Sequence, residues 1–197
     1  MSAIIERDFD FQAAVYFQSN FLVNLYDFTL TMEVNTDSIH EQNIALERVK
    51  YMVYEVFENA VFIQDTEDEM IKLYKAANLK VCKIPDEPFD QILALLIMLK
   101  IDSVLENRLK VTDITLTSKL SDLVKFKETI ITAQNTFTDN DWYKDPGPTL
   151  STEVPSKRGR EKVVKIKNND WKETGLLWKE KRESPKEIVF NFDSLDK

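Results

Sequence analysis

Histidine and cysteine, two side chains often used as general bases, nucleophiles and zinc ligands, are nearly absent from this sequence. The chain has one histidine, His40, and one cysteine, Cys82. These two cannot build a cysteine-based zinc cluster or a disulfide framework, and Cys–His catalysis would require them to meet in space. We expect His40 to lie on a helix surface or cap, and Cys82 to point into a core as a small apolar side chain. The sequence therefore predicts no catalytic residue, no bound cofactor and no metal site.

Four carboxylates lie close together near the middle of the chain, at Asp65, Glu67, Asp68 and Glu69. Acidic residues at the start of a helix interact favourably with the helix dipole, and this is the interpretation we prefer. Divalent-ion binding is the alternative, but no glycine-containing calcium loop accompanies the cluster. Residues 1–146 contain no glycine. Glycine-rich phosphate loops are thereby excluded from this part of the chain.

The elements that would position such side chains follow from the apolar periodicity. Alternation predicts strands, and apolar residues three and four positions apart predict helices. The pattern predicts strands over 9–18 and 22–35, a long helix over 39–63, a short helix over 66–78, a strand over 79–84, a buried helix over 88–105, and strands over 110–118 and 123–129. The predicted fold class is α+β: an antiparallel sheet with two main helices packed on one face, followed by an extended carboxy-terminal arm.

Charge divides the chain into three parts. Residues 1–155 carry 14 Lys and Arg against 26 Asp and Glu, residues 156–182 carry 10 against 4, and residues 183–197 carry 2 against 4. Three prolines and a glycine fall between residues 139 and 155, where periodicity is lost. We therefore predict an α+β body over 1–138, a proline-containing linker over 139–155, and an interaction arm over 156–197 that is first basic and then acidic and apolar.

The start of the first strand, "FDFQAA", and the order of the elements resemble the tunnelling fold of the pterin synthases over about residues 9–128. That resemblance implies three zinc-binding histidines and a glutamate that anchors the pterin. This chain has Val15, Asn24 and Tyr26 at the histidine positions, and Leu116, followed by Thr117, at the glutamate position. A valine, an asparagine and a tyrosine cannot supply the ligands that zinc needs. The resemblance therefore implies this fold without its zinc chemistry.

The arm has the most distinctive composition. Trp171 and Trp178 lie seven residues apart among ten basic residues, and the chain closes with alternating apolar residues in "KEIVFNFDSLDK". Large apolar side chains of this kind favour docking on a protein surface, including this chain's own acidic body or the edge of a sheet. The predicted partner-binding residues are Trp142, Trp171, Leu177, Trp178, Ile188, Phe190 and Phe192. A solvated linker and nucleic-acid binding remain alternatives, the latter through Lys157, Arg158, Arg160, Lys162, Lys165 and Lys167.

The stretches "VTDITLTSKLSD" and "DWYKDPGPT" are similar to uncharacterised proteins of tailed marine bacteriophages. This resemblance implies a phage source but no activity. Together with the long basic, proline-containing tail, which should need neighbouring subunits to hold it, it favours a non-catalytic subunit of the phage neck, tail or baseplate, found in the virion and, during assembly, in the host cytoplasm. Its partners would be further copies of itself and other phage structural proteins. A phage replication or transcription accessory protein that binds polymerase, a sliding clamp or DNA is the alternative, and a divergent pterin-type enzyme is the third. The longest apolar run, 92–99, is too short for a membrane span, so no membrane partner is expected.

Overall fold

A long β-hairpin lies at the centre of the computed structural model, which describes residues 3–150 and 170–178. Strand β1 (Ile4–Phe17) pairs antiparallel with β2 (Asn20–Val34) along its whole length. Gln18 and Ser19 form the turn, with positive φ angles of 47° and 61°. A two-residue turn of this kind matches the right-handed twist of paired strands. The aromatic and β-branched residues of both strands favour extended backbone, as predicted.

The other elements extend this hairpin into a six-stranded sheet of order β4-β3-β1-β2-β5-β6. They are α1 (Ile39–Tyr51) with a π-helical turn (Met52–Phe57), β3 (Ala60–Gln64), α2 (Asp68–Ala76), β4 (Lys80–Ile84), α3 (Asp90–Leu105), β5 (Leu109–Ser118), β6 (Phe126–Thr129), α4 (Ile130–Thr136), a 3-10 turn (Trp142–Lys144) and α5 (Trp171–Thr174). The predicted α+β class is confirmed.

The sequence predicts a purely antiparallel sheet, but the observed sheet is mixed. Strand β3 pairs parallel with both β1 and β4, whereas the other neighbours are antiparallel. Helix α2 connects β3 to β4, and a parallel pair requires such a crossover because a tight turn can only reverse the chain. The source of the difference is strand β3 itself, which the sequence analysis did not recognise.

The predicted helix over 39–63 ends earlier, and its last part is strand β3. Helical structure stops at Phe57, and Asn59 takes a left-handed conformation with φ 59° while its N–H donates to the carbonyl of Gln12 at 2.7 Å. The run "AVFIQ" that follows is almost wholly buried. Periodicity alone does not separate a short buried strand from a continuing buried helix, which explains the error.

Two apolar layers cover the sheet. Helices α1 and α3 pack with the π-helical turn on one face, where Phe11, Phe28 and Leu116 belong to the same core cluster as Val49 and Leu96. Helix α2 packs on the opposite face, in a smaller cluster of Ala14, Val61, Ile63, Ile71 and Tyr74. The two main helices therefore share one face, as predicted, and we call this side the helix face.

Segments that the sequence assigned to the linker and arm also contact the helix face. Trp142 and Tyr143 are buried within the main core, and so is Trp171. Residues 151–169 and 179–197 lie outside the described part of the chain. The division at residue 138 stays a prediction.

Candidate functional site

The residues at the pterin-synthase positions all lie on the helix face of the sheet, but they are spread along it, with Val15 opposite Leu22 near the hairpin turn. In the strand register, Tyr26 is opposite Phe11, Asn24 is opposite Ala13, and Leu116 is opposite Phe28. Val15, Asn24, Tyr26 and Leu116 are all buried. The valine and leucine carry no atom that could bind a metal or transfer a proton. Within residues 3–150 and 170–178, no three His, Cys, Asp or Glu side chains are grouped to hold a metal ion.

Asn24 and Tyr26 do carry polar atoms into this buried layer. The Asn24 side-chain oxygen accepts a hydrogen bond from the Leu120 amide at 3.0 Å. Its Nδ2 and the Tyr26 Oη have no hydrogen-bond partner among the described atoms. Burial, the largest influence, raises the pKa of Tyr26, so the phenol stays neutral at physiological pH. Through its hydrogen bond to Leu120, Asn24 holds the loop after β5 against strand β2.

The other candidate groups lie apart from this layer. His40 is exposed in the first turn of α1, which fits the predicted surface position. Cys82 is fully buried on β4, and burial raises the pKa of its thiol well above the ordinary value. A thiol of this kind stays protonated and is a poor nucleophile. The acidic cluster lies at the exposed start of α2, as expected of residues that complement a helix dipole.

The most elaborate polar site in the structure is built around a residue that the sequence analysis did not select, Arg48 on α1. Only 1% of its side chain is exposed. Its Nη1 donates to the Glu106 carboxylate at 2.6 Å and to the Val104 carbonyl at 2.9 Å, at the end of α3. Its Nε donates to the Leu176 carbonyl at 2.9 Å. One guanidinium therefore connects α1, the end of α3 and the carboxy-terminal segment.

Two indole rings complete the surroundings of Arg48. The guanidinium carbon is 4.5 Å from the centre of the Trp171 ring and 3.8 Å from that of Trp178, and Arg108 lies 4.6 Å from the Trp178 ring. The negative π face of an indole ring attracts a cation, and the attraction strengthens where water is excluded. We call Arg48, Glu106, Trp171 and Trp178 the arginine anchor.

Local sequence explains how residues 170–178 present both tryptophans. Asp170 caps the short helix α5 by accepting from the Lys172 amide, and Gly175 ends that helix with φ 74°. Glycine adopts this left-handed conformation without steric cost, so the chain can reverse before Leu176. Trp171 is held further by its Nε1, which donates to the Pro146 carbonyl at 2.6 Å.

Electrostatics explain why a charged group is tolerated in this position. Burial lowers the pKa of Arg48, and the hydrogen bond and charge of Glu106 act in the opposite direction. Arginine stays protonated in proteins even so, because its intrinsic pKa is very high. Arg48 is thus a permanent cation whose charge is compensated by one carboxylate, two carbonyls and two ring faces.

A second buried cation, Lys100 on α3, holds the segment before the arm. Its Nζ donates to the carbonyls of Trp142, Asp145 and Gly147, at 2.9, 2.8 and 2.8 Å. Burial lowers its pKa to about 8. The Trp142 indole donates to the Lys83 carbonyl at 2.7 Å, which joins the same segment to β4.

The predicted partner-binding residues separate into three groups. Trp142, Trp171 and Trp178 pack against this chain's own body, whereas Leu177 is 47% exposed. Ile188, Phe190 and Phe192 lie outside the described residues, as do the six basic residues proposed for nucleic acid. Sequence reasoning missed both Arg48 and Lys100. The available signal was a cation inside an apolar pattern: Lys100 follows the longest apolar run, and Arg48 is four residues after the buried Ile44.

Comparisons with known proteins found no matching family model and no matching curated protein. Among solved structures, the chain is similar to the uncharacterized protein WS1659 from Wolinella succinogenes, with a TM-score of 0.44, 12% identity, and coverage of 66% of this chain and 99% of that one. It is also similar to a catalytic-residue mutant of 6-pyruvoyltetrahydropterin synthase from Plasmodium vivax, with a TM-score of 0.42, 12% identity and the same two coverages. The second belongs to the pterin synthases, which the sequence also resembles. No activity of this chain follows from either likeness.

None of the helices among the described residues has the length and apolar character needed to cross a membrane.

Proposed function

We propose that this protein is a non-catalytic assembly protein that fixes its carboxy-terminal arm at the arginine anchor and uses the chain beyond Trp178 to bind neighbouring subunits. The observation that carries the proposal is the bond from Arg48 to the Leu176 carbonyl, which joins residues 128 positions apart. A buried cation supported by two indole rings gives the arm a defined point of departure from the body.

The composition of the chain after the anchor supports the docking role. Leu177 is exposed beside the anchor, and Ile188, Phe190 and Phe192 follow within the next 15 residues. Three large apolar side chains alternating over five positions are typical of a segment that binds a groove or adds a strand to a sheet edge. Because the chain is fixed at Trp178, the segment after it loses less conformational freedom on binding than an unattached segment would, and this favours affinity.

The chemistry of the described side chains supports a role without catalysis. Cys82 is a buried, protonated thiol, and the pterin-synthase positions carry Val15 and Leu116. The two most buried cations, Arg48 and Lys100, bind main-chain carbonyls of their own chain. Burial within the fold accounts for the lowered pKa values of both groups. A structural origin of this kind is the usual alternative to a catalytic role.

On the sequence resemblance, we extend the proposal to a subunit of a bacteriophage neck, tail or baseplate. The test is a density gradient of lysate from cells that make such particles, with mass spectrometry of each fraction. We expect the full chain in a high-mass fraction at constant stoichiometry, and a chain ending at Trp178 in the low-mass fractions. A full chain found only in low-mass fractions, or loss of assembly only after nuclease treatment, would contradict the proposal; the latter would favour the nucleic-acid alternative.

A further inference from the structure

Two buried polar atoms of strand β2 have no hydrogen-bond partner among the described atoms: the Asn24 side-chain nitrogen, Nδ2, and the Tyr26 phenol oxygen, Oη. Only 3% of Asn24 and 1% of Tyr26 is exposed. Removing an amide or a hydroxyl from water costs free energy unless the group finds a new partner. For this reason almost all buried polar side-chain atoms are bonded to protein or to ordered water. The two atoms therefore point to a partner outside the described atoms.

The strand register places further polar groups beside this pair. Asn24 and Tyr26 are two positions apart on β2, so both side chains leave the same face of the sheet. Ser118 on β5 is paired with Tyr26 and is fully buried. Its hydroxyl donates to the carboxylate of Asp90, the first residue of α3, at 2.6 Å. We call Asn24, Tyr26, Ser118 and Asp90 the junction cluster, because they join β2, β5 and α3.

The electrostatic surroundings of the Tyr26 hydroxyl show that three of these groups face one small space. Burial has the largest influence and raises the pKa of Tyr26, the Asn24 side chain lowers that pKa by hydrogen bonding, and the negative charge of Asp90 raises it. Effects of this kind act over short distances. The Asn24 amide is therefore near the phenol, although no contact between the two has hydrogen-bond geometry.

A direct bond between Asn24 and Tyr26 would satisfy only one of the two donors. If Nδ2 moved to donate to the Tyr26 oxygen, the phenol hydrogen would still need an acceptor. The Asn24 side-chain oxygen already accepts from the Leu120 amide at 3.0 Å, and this bond fixes the direction of the amide group. The two groups together thus require an oxygen atom that accepts from both.

The chemistry of the junction cluster selects this partner. Two donors converge on it, so it is an acceptor and not a cation. The Asp90 carboxylate repels an anion in the same space. Asn24, Tyr26 and Ser118 are each at most 3% exposed, which argues against a larger organic molecule. Water is neutral, makes two to four hydrogen bonds, and is the usual partner of buried polar groups that the protein itself does not satisfy.

We infer that the junction cluster binds one water molecule, which accepts hydrogen bonds from Asn24 Nδ2 and the Tyr26 phenol and donates to the Asp90 carboxylate. This water joins β2 to the start of α3, beside the direct bond from Ser118 to Asp90. Asn24 also holds the Leu120 amide, so the same water helps to fix the loop between β5 and β6. The inference is independent of the arm and of the arginine anchor.

The direct test is a high-resolution crystal structure of the full chain. We expect an isolated peak of solvent density about 2.7–3.2 Å from both Asn24 Nδ2 and Tyr26 Oη, the range of ordinary hydrogen bonds. Three results would overturn the inference: no density at this place, an atom of the chain itself there, or a direct bond from the Tyr26 hydroxyl to Asp90.

Urea denaturation of Tyr26→Phe provides a second test in solution. Its matched control is Tyr54→Phe, because Tyr54 is 44% exposed and its hydroxyl can bond to solvent. A bonded Tyr26 hydroxyl contributes to stability, so Tyr26→Phe should lower the urea midpoint by roughly 0.3–0.8 M while the control stays near the unchanged protein. A hydroxyl without a partner is a burden in the core. A midpoint that stays the same or rises in Tyr26→Phe would therefore contradict a bound water.

Discussion

Among the residues that the structure describes, two buried cations hold two successive pieces of the carboxy-terminal region in different ways. Lys100 is a compact ammonium that donates to three main-chain carbonyls between residues 142 and 147, and no carboxylate within residues 3–150 and 170–178 is bonded to it. Arg48 is a planar guanidinium that contacts two indole rings and is paired with Glu106. A lysine is suited to converging carbonyls, and an arginine to flat ring faces and a carboxylate.

This difference indicates that the two pieces have different relations to the body. Lys100 is bonded to main-chain atoms beside Trp142, whose ring is 1% exposed within the core. The segment up to residue 150 therefore behaves as part of the fold. The segment 170–178 is held mainly through two tryptophan side chains and one carbonyl, so we expect it to detach while the sheet stays intact. The predictions that follow test this contrast.

The largest effect is expected from truncating the chain on either side of the Lys100 contacts. A chain ending at Thr138 loses Trp142 and all three acceptors of Lys100, which leaves a buried ammonium without a partner. We expect it to fold poorly, although the sequence alone predicts an independent body over 1–138. A chain ending at Leu150 keeps these contacts and should unfold cooperatively in urea. Equal and cooperative unfolding of both truncations would restore the boundary at 138.

The next largest effect is expected at Arg48. Replacing it with alanine leaves the Val104 and Leu176 carbonyls without this donor, leaves Glu106 with only the more distant Arg108, and removes the guanidinium between the two rings. We expect a loss of about 2–4 kcal/mol in the free energy of unfolding, measured by urea denaturation, because Glu106 is 35% exposed and keeps Arg108 nearby while the Val104 carbonyl stays buried. Arg48→Lys should recover little of this loss, because an ammonium lacks the planar donor pattern. Arg108→Ala is the matched control, since Arg108 is 32% exposed and touches only Trp178 among the rings.

A pH-dependent difference is expected at Lys100. Its folded-state pKa of about 8 lies below the ordinary 10.5, so between these values the folded chain binds fewer protons at this site than the unfolded chain. Stability at this site therefore rises as pH increases through that window. Compared with Lys100→Met, the unchanged protein should gain about 1–3 kcal/mol between pH 8 and 10.5. A constant difference between the two proteins across this range would mean that Lys100 keeps an ordinary pKa.

The smallest effect separates the two tryptophans of the anchor. Trp171 donates its indole N–H to the Pro146 carbonyl, whereas the buried Trp178 Nε1 has no partner among the described atoms. Trp171→Phe should therefore cost about 1 kcal/mol more than Trp178→Phe, since only the former leaves a carbonyl unpaired. The check is urea denaturation of both variants. A larger loss for Trp178→Phe would show that the Trp178 ring carries more of the anchor than its contacts indicate.

The local spacing of apolar residues was sufficient to predict much of the fold. The hairpin strands and α3 were predicted because alternation and apolar spacing persist over ten residues or more. Strand β3 was missed because its five buried residues continue an apolar helix without a polar break. Strand β6 is shorter than predicted because the loop before it contains left-handed residues, Asp122 and Leu123, that no local pattern signals.

The sequence analysis identified only some of the residues of the arginine anchor. Trp171 and Trp178 were selected because large aromatic residues are unusual in a basic tail. Their partner Arg48 was not, because a single arginine on an amphipathic helix is ordinarily solvent-exposed, and 123 residues separate it from Trp171. Contacts across such a distance depend on tertiary packing, which neither propensity nor spacing encodes.

The most direct test of the anchored arm is amide hydrogen exchange of the full chain, followed by mass spectrometry of a peptide covering 170–178. The arginine anchor predicts slow exchange there, because the Leu176 amide donates to the Trp171 carbonyl and the Leu176 carbonyl accepts from the buried Arg48. In Arg48→Ala, this peptide should exchange many times faster while peptides from β2 and β5 stay protected. Fast exchange of 170–178 in the unchanged protein, at the rate seen in the variant, would contradict an arm held at Arg48.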